Sequence, residues 1–140
     1  LDLSHELDYA IWLCGKFESL TSFQGKISNL EITSDDICVA FGRTKMDAIA
    51  NVSIDYLSHI THRSLRVECE GSTYELDFMA GTLTKQDSSK QIFNMPNLAR
   101  NEMFLAMHKD VLGEQKHICS FDEGLDVMDA IDQIQRQNNE

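Results

Sequence analysis

Basic side chains are scarce. Lys and Arg number 12 against 23 Asp and Glu, a net charge of −11. Nucleic-acid binding needs clustered cations to neutralise phosphates, and these are scattered. Neither nucleic acid nor an anionic membrane is therefore an expected partner. Long apolar runs are missing too: none approaches the roughly 20 residues that span a bilayer. The first apolar residues are interrupted by Asp2, His5, Glu6 and Asp8, so no signal-peptide core is expected there. Paired cysteines are absent. Cys14, Cys38, Cys69 and Cys119 form no C-x-x-C, and three of them fall at apolar positions of their elements. They are expected to be free thiols packed as small hydrophobes in a reducing, cytoplasmic setting. There is no G-x-G-x-x-G and no P-loop, so the chain carries no nucleotide-binding fingerprint. Internal repeats and low-complexity segments are also lacking.

What is present fits one globular domain. The chain has 140 residues, 42% of them apolar and 25% charged. A chain of this size buries roughly two thirds of its unfolded surface. It opens on Leu1-Asp2-Leu3-Ser4-His5, which reads as the middle of an element and leads to the expectation of a piece cut from a larger protein.

Leu3, Leu7, Ala10, Ile11 and Cys14 recur at helical spacing, and Gly15 is placed to stop that helix. From Phe17 to Asn94 the period changes to two. In Ser64–Glu70, Leu65, Val67 and Cys69 alternate with Arg66, Glu68 and Glu70; Gly71-Ser72 turns the chain, and Tyr74, Leu76 and Phe78 continue the pattern. Ala48 to Tyr56 behaves alike, with Ala50, Val52 and Ile54 on one side. Weaker strand signals run over 19–29, 37–42, 82–85 and 91–94. Helices return after Pro96. Asn97 is placed to cap one, and Ser120-Phe121-Asp122-Glu123 has the capping-box form for the last. Phe121, Leu125, Met128, Ile131 and Ile134 make one apolar stripe there, and the polar tail from Gln135 is expected to fray. The expected fold is α+β: an open, mostly antiparallel sheet of about six strands, three helices covering one face, in the order α-β(n)-α-α.

Asp2, His5, Asp8 and Tyr9 stand three or four residues apart on the first helix and so share a face. A carboxylate beside an imidazole fixes its tautomer and raises its basicity, as proton transfer requires. The bland reading is an acidic helix N-terminus favoured by the dipole, with His5 merely exposed. His59 and His62 have metal-like spacing without visible further ligands, and a polar strand end explains them more simply. His108 and His117 are isolated.

The opening stretch, Leu1-Asp2-Leu3-Ser4-His5-Glu6-Leu7-Asp8-Tyr9 with Trp12-Leu13-Cys14-Gly15, resembles the start of the C-terminal domain of Gfo/Idh/MocA-type oxidoreductases. The likeness continues through Ile54-Asp55-Tyr56-Leu57, Arg63, the Gly71 hairpin with Asp77, and Phe121-Asp122-Glu123-Gly124-Leu125. It implies a substrate-side and oligomerisation domain whose Rossmann partner, with the catalytic lysine, lies outside this sequence. It implies NAD or NADP in the whole enzyme and no cofactor site in this piece. A sugar or sugar derivative would be the substrate, and the sheet face a homo-oligomer interface. By the resemblance His5 moves the hydroxyl proton, with Asp2 as its partner and Asp8, Tyr9 and Arg63 on the substrate side. The family spacing is Asp, three residues, His; here two residues intervene, and one residue turns a helix by about 100°. Asp2 as a helix cap or an orienting group stays open.

The resemblance implies that the piece alone turns over no substrate. A non-catalytic ligand-binding or scaffold module with the same fold is the alternative. A metal hydrolase built on His5, Asp8, His59 and His62 is a third, poorer reading.

Overall fold

The computed structural model describes residues 4–88, 90–95 and 100–137. The elements are α1 (Ser4–Cys14), β1 (Phe17–Gly25), β2 (Ile37–Thr44), β3 (Ile49–Asp55), β4 (Ser64–Cys69), β5 (Ser72–Asp77), β6 (Thr82–Lys85), a single 3-10 turn (Gln86–Ser88), β7 (Lys90–Asn94), α2 (Arg100–Leu112) and α3 (Phe121–Gln137). The class is α+β and the order is the expected one. The strands number seven, and they form two antiparallel ladders, β1-β2-β3 and β4-β5-β6-β7. Two compact units result: Leu1–Ser58 with Cys119–Glu140, and His59–Ile118.

The first unit is a three-stranded sheet with α1 and α3 on one face. Strand alternation chooses that face: Leu20, Ala40 and Val52 are buried, and Cys38, Ala50 and Ile54 pack against them. On α1 the buried residues are Leu7, Ala10 and Ile11. On α3 they are Val127, Ala130, Ile131 and Ile134, a helical i, i+3, i+4, i+7 set. Leu7 and Ile134 are essentially inaccessible, and burying each such side chain contributes about 1.5–3 kcal/mol. Gly15 ends α1 as its position suggested. Its φ is 78°, and its N–H donates to the Ile11 carbonyl at 2.7 Å. Gly42 is required for another reason. A Cβ there would stand 2.1 Å from the Ser19 carbonyl oxygen, beside the register shift between Phe17 and Ser19.

Both ends of α3 are tied. At the start Ser120 and Glu123 form the expected capping box: the Ser120 N–H donates to Glu123 Oε2 at 2.7 Å, and the Glu123 N–H donates to Ser120 Oγ at 3.3 Å. The Glu123 carboxyl is held below its usual range by the Ser120 N–H and then by the hydroxyl. Lys16 forms an ion pair with Asp126 one turn further on. The helix α3 continues past Gln135 to Gln137, whose side chain is bonded to β1.

The loop between β1 and β2 folds around Asp36, which is 1% exposed. Burial raises the cost of its charge. The Ile27 N–H, the Ser28 hydroxyl and N–H, and the Lys26 ammonium more than compensate, so its carboxyl stays well below the ordinary range.

The second unit is a four-strand meander. Gly71, with φ of 74°, turns β4 into β5, setting Arg66 opposite Glu75 and Glu68 opposite Thr73. Glu68 accepts from Thr73 Oγ1 at 2.5 Å and from Arg66 Nε at 2.6 Å. The polar face is thus partly paired along a strand as well as across it. Asp77 Oδ1 accepts the Met79 and Ala80 N–H groups at 2.8 and 2.9 Å, an Asx-type turn toward β6. In the first unit the helices covering the sheet face are α1 and α3; α2 belongs to this second unit, and its Met103, Leu105, Met107 and Leu112 are about half exposed or more. The expected Asn97 cap lies outside the described residues. The four cysteines are free, but Cys69 and Cys119 are exposed, not packed as small hydrophobes: Cys69 ends an edge strand, and Cys119 precedes α3. Among the described residues no helix is long and apolar enough to cross a membrane.

Candidate functional site

Two helices of the first unit build an open cleft of about 420 Å³. Ser4, His5 and Asp8 from the first two turns of α1 form one wall. Cys119 and the first half of α3, with Phe121, Gly124, Leu125 and Met128, form the other. Helical phase explains the first wall. Leu7, Ala10 and Ile11 point into the core, so His5 and Asp8, three apart, emerge together on an adjacent face. His5 is exposed and Asp8 half-buried.

The second wall corrects the expected stripe on α3. Ile131 and Ile134 are core residues, joined by Val127 and Ala130. Phe121, Leu125 and Met128 are not: Phe121 is 81% exposed, and Leu125 and Met128 are about half exposed. Their i, i+4, i+7 spacing is helical, but it marks the face next to the core face.

Of the residues expected to act on a substrate, the structure places His5 and Asp8 together in the cleft. Tyr9 is half-buried on α1 and is not among the lining residues. Arg63 lies in the second unit, with its guanidinium over the Phe78 ring, 5.3 Å from the centroid, and its carbonyl accepting the Phe78 N–H at 3.0 Å. Asp2 lies outside the described residues. His62 Nε2 is 3.3 Å from Ser64 Oγ. Among the described residues no group of three or more His, Cys, Asp or Glu is placed to hold a metal ion.

Cys119 was missed as a site residue. Its place just before α3 was visible, but its proximity to α1 depends on tertiary packing. Local desolvation pushes the Cys119 thiol up, and the negative charges of Asp8 and Glu123 push it further, so it stays protonated.

The cleft does not fit a dinucleotide. Pyrophosphate needs backbone N–H donors at a helix N-terminus or cationic side chains. No Lys or Arg is among its described lining residues, Asp8 brings a negative charge to one wall, and the Glu123 carboxylate lies where α3 begins, bonded to the Ser120 N–H. What the arrangement offers is one imidazole beside one carboxylate, facing an apolar wall. Such a pair holds or moves a proton on an uncharged polar group.

This is the fold of one part of a class of oxidoreductases. The chain is similar to an oxidoreductase from Agrobacterium radiobacter solved with NAD+, L-tartaric acid and magnesium (TM-score 0.77, 17% identity, 96% of this chain and 44% of that one). It is similar also to UDP-N-acetylglucosamine 3-dehydrogenase GnnA from Acidithiobacillus ferrooxidans (TM-score 0.75, 16% identity, 96% and 45%). Biliverdin reductase from Synechocystis, solved with biliverdin and NADP+, shares the fold at TM-score 0.73 and 13% identity, over 98% and 46% of the two chains. The chain thus spans less than half the length of each. At these identities the likeness is one of fold, and it agrees with the fold implied by the resemblance to Gfo/Idh/MocA-type enzymes. No protein-family model matches the chain, and no curated protein matches it in sequence.

Proposed function

We propose that this chain is the C-terminal, substrate-side domain of a Gfo/Idh/MocA-type oxidoreductase, residues 1–140 acting as one domain in a cytoplasmic homo-oligomer joined through the sheet face. In this reading the substrate is the hydroxyl or carbonyl of a sugar or sugar derivative. The observation that carries it is the convergence of His5 and Asp8 in the cleft of a fold shared with NAD+- and NADP+-bound oxidoreductases.

His5 accepts or returns the substrate hydroxyl proton, and Asp8, on the same wall of the cleft, holds the substrate beside it. By the resemblance, Asp2 is the partner of His5 and Tyr9 a substrate-side neighbour. The nicotinamide, held by a Rossmann domain outside this sequence, supplies or takes the hydride. Phe121, Leu125 and Met128 form the apolar wall opposite His5. The isolated chain has no turnover because the cleft does not suit a dinucleotide.

The test is His5→Ala in the full-length parent, assayed with NAD(P)+ on a panel of sugars and sugar nucleotides. A fall in kcat of about 100-fold or more with cofactor affinity unchanged is expected. Unchanged kcat would point to the alternative, a binding or scaffold module of the same fold. So would a parent gene that lacks an upstream G-x-G-x-x-G after a strand.

A further inference from the structure

Among the described residues β1 is an edge strand, paired with β2 on one side only. Edge strands present unpaired N–H and C=O groups that invite another strand. Here one such pair is already taken. Gln137 Oε1 accepts the Ser22 N–H at 2.8 Å, and Gln137 Nε2 donates to the Leu20 carbonyl at 2.7 Å. Leu20 and Ser22 are two apart, so these groups point the same way from the strand. A carboxamide has the donor and acceptor of a peptide unit, and it meets the strand as a neighbouring strand would. The Ser22 hydroxyl adds a contact to Gln137 Oε1 at 3.1 Å and another to the Ile134 carbonyl at 3.5 Å.

We infer that Gln137 is an edge plug: its carboxamide occupies the strand-addition site on β1 and prevents a second copy of the chain from pairing there. The geometry names the competing partner. Two copies of β1 related by a two-fold axis at Thr21 would set Leu20 of one opposite Ser22 of the other. The Ser22 N–H would then donate to the partner copy's Leu20 carbonyl, the group that Gln137 now satisfies. Phe23, 58% exposed on the same strand, would gain cover in that pairing. This contact is distinct from an association through the sheet face, and it does not depend on any enzymatic role.

The test is Gln137→Ala in the 140-residue chain. Amide hydrogen exchange at Ser22 should accelerate by about tenfold or more, while the central-strand amide of Ala40 keeps its rate. Sedimentation should show association beyond that of the unaltered chain at the same concentration. Ser22→Pro added to Gln137→Ala removes the N–H that a new strand needs and should abolish the added association. Gln137→Met keeps the length of the side chain, loses both the donor and the acceptor, and should move both readouts in the same direction should the alanine variant fold poorly. Unchanged exchange at Ser22 overturns the plug. Faster exchange with no added association overturns its guarding role.

Discussion

The Asp36 carboxylate accepts the Ile27 N–H at 2.8 Å and thereby closes the loop between β1 and β2 onto a buried charge. The other oxygen accepts the Ser28 N–H at 2.8 Å and the Ser28 hydroxyl at 2.5 Å, with Lys26 Nζ at 3.4 Å. The Asp36 backbone is committed as well, its N–H to the Gly25 carbonyl and its carbonyl to the Tyr56 N–H, each at 2.9 Å. One residue therefore joins the ends of β1 and β3 to the start of β2.

Asp36→Ala strips the Ile27 and Ser28 donors of their partner, and Tm should fall by something on the order of 10 °C. The pH dependence has a definite sign. The folded carboxyl titrates below the unfolded one, whose pKa is about 3.9. Its contribution is thus present above that value and lost as pH falls below it toward the folded pKa. Thermal melts of both proteins from pH 7 down to 2 should show a Tm gap that is constant above about pH 5 and narrows in acid. A gap independent of pH would mean that packing, not the charge, is lost.

The capping box sets a second measurable contribution. Ser120→Ala removes the acceptor for the Glu123 N–H and should cost about 1 kcal/mol in urea denaturation. Because Glu123 bonds back to the Ser120 N–H, Glu123→Gln in the same background should cost less than it does alone. Additive losses would show that the two bonds act independently.

Two glycines should respond in opposite directions. Gly42→Ala places a Cβ 2.1 Å from the Ser19 carbonyl, which is backbone and cannot move cheaply. A loss of about 3 kcal/mol or more is expected, or failure to fold. Gly124→Ala meets nothing within 4 Å and lies inside α3, so it should gain roughly 0.5–1 kcal/mol. Denaturant midpoints for the two variants, measured side by side, check both signs.

Features written into consecutive residues are legible in the sequence. Gly15 as a helix stop, the Ser120–Glu123 cap and the β4–β5 alternation around Gly71 are all set within a few residues. The division of the strands into two ladders was not, since alternation fixes the faces of a strand and not its neighbours. The same holds for α3, where Phe121 and Ile131 are equally apolar and only the position of α1 decides which is buried. Asp36 gave no warning either. An Asp before a strand is ordinarily a solvated turn residue, and its partners Ile27 and Ser28 come from the other end of a long loop. In the cleft, His5 and Asp8 were readable from their spacing on one helix. Cys119, more than a hundred residues away, was not.

The cleft also separates function from stability. His5 is exposed, and Leu7, Ala10 and Ile11 hold α1 without it. His5→Ala should therefore change the unfolding free energy of the 140-residue chain by no more than about 0.5 kcal/mol. Gly124 lines the opposite wall, where an added methyl narrows the space facing His5. On the proposed reading, Gly124→Ala in the full-length parent should raise KM for the substrate several-fold while the protein becomes more stable, the reverse of the coupling expected when activity is lost through unfolding. Urea midpoints and steady-state kinetics on the same preparations decide the matter. Should His5→Ala destabilise the chain by 2 kcal/mol or more, His5 would be a structural residue of α1, and the proton-transfer role proposed for it would lose its main support.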